Sequence, residues 1–210
     1  MTGLSACCPS CGATIEFRWS SAVQTTCPFC KSILVRHDVD LTKVGEVGDL
    51  PKDESPIQLG TTGTFDRRSF SVVGRILYEY ARGGWNEWHL RLDDSTSAWL
   101  SDAMAEYAVS RSVESTDIPP ADRVRVGESH AWSGRSYKAS TITKAHYRGV
   151  EGELPFETWN RHDALFVDLD ADDGHFATID YSDDPPTLYL GEYVDFADLQ
   201  LGNLRRMEGW

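Results

Sequence analysis

The stretch LGTTGTFDRRSF at residues 59–70 returns as VGESHAWSGRSY at residues 126–137. At one constant offset Gly60 answers to Gly127, Phe65 to Trp132, Arg68 to Arg135, Ser69 to Ser136 and Phe70 to Tyr137, and Tyr80 still answers to Tyr147. Chance does not keep glycine, aromatic, arginine, serine and aromatic in order and then hold register further down the chain. The sequence therefore contains an internal repeat.

The texture around each copy is β. Phe70, Val72, Gly74, Ile76, Tyr78 and Tyr80 fall on one face of a period-two pattern, and ARGG reads as a turn. The chain returns as WNEWHLRL, turns at DDSTS, and continues through AWLSD and EYAVSRSV. Taken alone, SDAMAEYAV has the composition of a short helix. Its counterpart TLYLGEYV is strongly β, so the repeat predicts strands in both copies. In the second copy RSYKASTITKAHY parallels RSFSVVGRILYEY, GVEGELPFETWNRHD reads as a longer loop, and LFVDLDADDGHFATI parallels WHLRLDDSTSAWL.

The cysteines carry the most specific chemical signal. Cys8 and Cys11 in CPSCG, and Cys27 and Cys30 in CPFCK, form two CxxC pairs fifteen residues apart. That spacing brings four thiolates around one tetrahedral metal ion. Ile15, Phe17 and Trp19 alternate between the pairs as a half-buried strand, with VQTT and ILVR as its expected partners. This is the pattern of a zinc ribbon. About thirty residues bury too little apolar surface to fold alone, so the metal supplies the core, at about 10–16 kcal/mol in comparable sites. Four sulfurs leave no open position for water, so the expected Zn2+ is structural, although these ligands alone would also suit iron. Cys7 is read as a spare thiol beside the site.

The expected fold class is mostly β. A zinc ribbon over 1–38 is followed by a linker over 39–56 and by two related small antiparallel β modules, 57–115 and 116–210, paired as a barrel-like or sandwich pseudo-twofold unit.

Net charge falls along the chain: zero over residues 1–40, −4 over 41–115 and −9 over 116–210, which gives the total of −13. Such acidity repels phosphate backbones and argues against nucleic-acid binding by the β modules. No apolar run of about eighteen residues is present to span a bilayer. The N-terminal MTGLSACCPSCG lacks the basic start and apolar core of a secretory signal, which makes the cytoplasm the expected compartment.

LGTTGTF, GRILYEYARGGWNEWHLRLDD and AWLSD together resemble the bacterial family catalogued as domain of unknown function 4178, over roughly residues 57–200. The second copy is looser, with WNRHD in place of WNEW. No activity travels with that family. Its genes tend to lie near those for polyamine synthesis and membrane-stress proteins, and the resemblance implies a role in such a pathway.

Candidate site residues beyond the metal cysteines lie in GGWNEWHL, where Trp85, Asn86, Glu87 and Trp88 combine polar and aromatic groups. Strand alternation puts Trp85 with Glu87 on one face and Asn86 with Trp88 on the other. Cross-strand packing is the simpler reading of the tryptophans, and a ligand groove the sharper one. DLDADDGH alternates Asp168, Asp170 and Asp172 like a calcium loop, but Gly174 comes one place late and Ile179 stands where a bidentate glutamate belongs. The six histidines show no catalytic spacing. The expected function is a non-enzymatic adaptor that recognises an unknown protein through the ribbon and exposed strand edges. The alternative is a binding protein for a small cation such as a polyamine, held by Asp170, Asp172 and Asp173. An uncharacterised enzyme is third.

Overall fold

A computed structural model describes residues 4–37, 40–47, 55–115, 117–156 and 163–206. It is almost entirely β, and its one helical turn among these residues is the 3-10 segment Ala121–Arg123. No described helix is long and apolar enough to cross a membrane. The histidine at 162 and most of the WNRHD stretch lie outside the described residues.

The cysteine pairs sit in two hairpins. β1 (Ser5–Cys7) pairs with β2 (Thr14–Glu16), and β3 (Gln24–Thr26) pairs with β4 (Ser32–His37). The strand containing Ile15 thus pairs with the segment before Cys8, not with VQTT and ILVR, because each CxxC turn closes its own hairpin. Ile15, Phe17 and Trp19 are buried together with Cys8, Cys27 and Leu34, as the alternation requires. The expected linker over 39–56 contains a strand: Asp40–Glu46 forms β5, which pairs with β4, and residues 48–54 lie outside the described residues. Leu41 in this strand packs on the cysteine cluster.

Each repeat begins with a hairpin: β6 (Thr62–Phe65) with β7 (Arg68–Tyr80), and β11 (Ser129–Trp132) with β12 (Arg135–Leu154). The recurring residues rebuild the same backbone. Gly60 and Gly127 have φ of +86° and +93°, which favours glycine at both. Gly60 N–H donates to Val72 O at 2.8 Å and Gly127 N–H to the equivalent Ala139 O at 2.7 Å. Two left-handed residues close each hairpin, Asp66 with Arg67 and Ser133 with Gly134.

From there each unit continues as a meander: β8 (Gly83–Leu92), β9 (Ser97–Ala103) and β10 (Glu106–Val113) in the first, β13 (Asp163–Asp170), β14 (His175–Asp180) and β15 (Thr187–Val194) in the second. SDAMAEYAV is strand, as the repeat predicts. β10 pairs with β15 and β7 with β12, both antiparallel, so the ladder runs around a ring of eight strands. The repeat-related residues Glu79 and His146 face one another directly in that ladder, as a pseudo-twofold relation demands.

A one-residue bulge recurs at the same place in both units, between Val72 and Gly74 and between Ala139 and Thr141. An extra residue turns every following side chain to the opposite face. Phe70 and Val72 therefore pack outward with Trp88, Leu90 and Leu100, whereas Ile76 and Tyr78 point into the ring. The single face expected over Phe70–Tyr80 is two half-faces. Each unit keeps a private outer core. The first is covered by the segment carrying Leu199 and Leu201, and the second by Val124 and Trp132.

The stretch expected as a long loop after His146 is still strand. Gly149–Gly152 pair with β7, and Glu153 and Leu154 pair with β3, joining the cysteine hairpins to the ring. Gly74 is required by this crossing, since a Cβ there would lie 2.1 Å from Glu153 O. The buried Glu153 carboxylate fixes the joint: Arg18 N–H and Trp19 N–H each donate to one of its oxygens at 2.7 Å. Replacing Glu153 with Ala leaves two N–H groups at this joint without acceptors, and is expected to lower the unfolding free energy by about 2 kcal/mol or more in denaturant titration, with Glu153→Gln milder.

Candidate functional site

The four cysteines Cys8, Cys11, Cys27 and Cys30 converge, with Sγ atoms all within 4.8 Å of one another. Cys8 Sγ to Cys30 Sγ and Cys11 Sγ to Cys27 Sγ are both 3.7 Å, and all four thiols are free. Zinc–sulfur bonds of about 2.3 Å in a tetrahedron place sulfurs about 3.8 Å apart, so the cluster fits one metal ion. Hydrogen bonding from Ser32 holds the Cys30 thiol down to about 6, while Cys11, despite a lowering backbone hydrogen bond from Ala13, is pushed up to about 12 by desolvation and the other three thiols; a bound cation would draw all four toward the thiolate form. Cys7 lies outside this cluster. Metal analysis of reduced protein is expected to find about one ion per chain, lost in Cys27→Ser, with chelation melting the hairpins around residues 4–37.

A second site lies inside the ring. The facing walls enclose a cavity of about 790 Å3. Its aromatic lining centres on Tyr78, which stacks on Trp85 at 4.9 Å and meets Tyr147 at 4.8 Å and Phe166 at 5.1 Å between ring centroids. Glu87 from β8, Asp168 from β13 and Asp180 from β14 also line it. Trp85 and Ser101 each donate a hydrogen bond of 2.9 Å to Glu87, Thr178 donates to Asp168 at 2.8 Å, and Ser182 N–H donates to Asp180 at 2.8 Å. Among the described residues none of the three carboxylates has a Lys, Arg or His ion-pair partner.

Burial without a counter-charge favours the neutral acid. It pushes Glu87 up from an ordinary 4.5 to about 7, with the nearby Asp168 and Asp180 adding to the rise. Asp168 and Asp180 are raised for the same first reason, desolvation.

The candidate residues divide as their parity predicts. Trp85 and Glu87 face the cavity. Asn86 and Trp88 face outward: Asn86 Oδ1 accepts from Arg75 Nε at 2.9 Å and Nη2 at 2.6 Å, and Trp88 is buried in the outer core with the Arg75 guanidinium 4.9 Å from its ring centroid. The acids expected to attract a cation are placed differently. Asp173 pairs with Arg135 at 2.9 Å in the β13–β14 turn, away from the cavity, while Asp170 accepts from Tyr193 at the rim. Asp168 and Asp180, and none of Asp170, Asp172 and Asp173, stand on the cavity lining. Asp168, Asp170 and Asp172 form no metal-holding group; the four cysteines are the only such group among the described residues. Sequence reasoning missed Asp180, Ser101 and Tyr189, whose signal is the polar and aromatic residues spaced by two along β9, β14 and β15.

Glu87 ionises near 4.5 when unfolded and near 7 in the folded protein. Its contribution to stability is therefore fully present below about pH 4.5 and lost as pH rises through about 7, by up to about 3 kcal/mol. Glu87→Gln is expected to flatten this dependence and to be the more stable form above pH 7 in denaturant titrations across that range.

Residues 58–196 match the model of a family described as Domain of unknown function (DUF4178), and a match over more than half of the chain places it in that family. No curated protein and no solved structure matches the chain.

Proposed function

We propose that this member of the DUF4178 family is a non-enzymatic binding protein whose ring cavity takes an organic ammonium group, of which a free polyamine is the simplest carrier. The observation that carries this reading is the set of three carboxylates, Glu87, Asp168 and Asp180, half-buried on the wall of an aromatic cavity and without an ion-pair partner among the described residues, although Arg82 and Lys144 also stand on its lining. Carboxylates withdrawn from water are costly unless something positive joins them. Aromatic faces beside carboxylates suit ammonium groups through cation–π attraction. A metal ion is the weaker fit, because the three acids do not converge as a metal-holding group.

A raised carboxylate in a cavity also meets a requirement of acid–base catalysis. The described wall has no histidine or cysteine, and the Ser101 hydroxyl is committed to Glu87, which favours binding over turnover. The adaptor reading is favoured by one observation. Three of the six exposed large apolar side chains among the described residues, Met104, Ile142 and Tyr193, stand on the cavity lining, where a bound polypeptide would cover them.

In this reading the N-terminal hairpins form a zinc ribbon whose ion is structural, since four thiolates complete its tetrahedron. Zinc sets the lobe, and the lobe buttresses the ring through Glu153 and Trp19.

Calorimetry with spermidine at low salt tests the function. Binding is expected to weaken by about tenfold or more in the Glu87→Gln, Asp168→Asn double variant and to stay unchanged when Asp172 and Asp173 in the turn are made Asn. Absence of spermidine binding, or binding indifferent to the cavity substitutions, overturns it.

A further inference from the structure

The pseudo-twofold ring is incomplete on one side. On β7, the edge from Gly74 to Glu79 is covered by β12, whose residues His146–Gly152 lie along it as an antiparallel strand. In the equivalent stretch of β12, Thr141–His146, only the last residue is covered: residues 140–145 have β13 on one side only, the hairpin with β11 ends at Lys138, and the pairing with β7 begins at His146. Carrying the register of Glu79 opposite His146 onward would set Tyr80 against Ala145 and residues 81–83 against 144–142. The first unit cannot supply that strand. It turns back after Tyr80 into β8, whereas the second unit continues to Leu154.

The open edge borders the cavity. Thr141, Ile142, Thr143 and Lys144 all line it, as do Arg82 of the β7–β8 turn and Gly84 of β8. Ile142 is 41% exposed, and Thr141 and Lys144 are exposed as well. No described residue pairs its backbone along this edge. An unpaired strand edge beside a cavity is a template for a further strand.

We propose that this seam is a docking site for an extended segment of a partner polypeptide, which adds as a strand along residues 140–145 and sends lysine side chains at alternate positions into the cavity. The inference rests on reading the cavity as an ammonium site. The molecule shows the shape that fits, because Gly149–Gly152 of its own chain occupies the twofold-related edge in this manner. Charge shows the chemistry: alternate side chains of an added strand point inward, where Glu87, Asp168 and Asp180 await a positive group. Apolar side chains of the same segment would cover the exposed Ile142, while Glu79, already paired with His146 at 3.5 Å and Arg148 at 3.4 Å, marks the closed end of the seam.

The test titrates the metal-loaded full chain with three probes at low salt: a blocked octapeptide alternating lysine and valine, the same peptide N-methylated at alternate backbone nitrogens, and free spermidine. Amide exchange is followed at residues 140–145. The unmethylated peptide is expected to bind, to protect amides in that stretch, and to lose about tenfold or more in affinity on methylation, as removal of ladder hydrogen bonds requires. Spermidine binding without peptide binding overturns the seam proposal and leaves the ammonium reading standing. Equal binding of the two peptides, or peptide binding without protection at 140–145, also overturns it. Failure of all three probes overturns both.

Discussion

Everything else in this molecule depends on the closure of two small β units edge to edge, β7 on β12 and β10 on β15. A single four-stranded sheet with one greasy face has an obvious solution, which is to cover that face with its own flanking segment. Both units do so, with Leu199 and Leu201 over the first and Trp132 and Val124 over the second. The opposite faces are then free to be something other than hydrophobic core. Closing the ring brings those faces together and encloses them, so polar side chains that would sit in water on an isolated sheet become the walls of a cavity. Glu87, Asp168 and Asp180 owe their raised affinity for protons to that enclosure.

The N-terminal lobe joins this architecture at a joint with several parts. Glu153 receives two backbone N–H groups from the lobe, its carbonyl accepts from His89 Nδ1 at 2.8 Å, and Trp19 lies 4.8 Å from the His89 ring. A carbonyl only accepts, so Nδ1 carries the proton and Nε2 takes the Ser97 hydroxyl at 2.6 Å. Burial holds His89 down to about 4, neutral at ordinary pH. His89 in turn backs Trp99, a cavity wall residue, at 5.0 Å. The metal-holding cluster and the cavity are thus mechanically adjacent, and a lobe unfolded by metal loss would remove support from one wall.

Much of this was legible in the sequence because it is written in spacing. The two CxxC pairs gave the sulfur cluster, and the offset repeat gave Gly60 and Gly127 their matching left-handed turns. Period-two parity correctly separated Trp85 and Glu87 from Asn86 and Trp88. The cavity itself was hidden for a physical reason. Ser101, Thr178 and Asp180 occupy alternating positions opposite an apolar face, which is how a solvent-facing side also looks, and only the tertiary closure tells enclosed from exposed. The bulges at Val72–Gly74 and Ala139–Thr141 were equally invisible, since one extra residue leaves composition unchanged while inverting every side chain after it. The strand Asp40–Glu46 reads as linker because five of its seven residues are polar or glycine, and its pairing with β4 outweighs that composition.

What sets this ring apart from a packed β core is that its interior wall carries the carboxyl groups of Glu87, Asp168 and Asp180, which the proposed ammonium guest would join. A carbon-detected NMR titration of the Glu87 carboxylate, without and then with saturating spermidine, addresses this most directly. A midpoint near 7 in the free protein that drops toward the ordinary 4.5 when the amine is bound is the predicted result. A midpoint already near 4.5 in the free protein, or one unmoved by the amine, would contradict it.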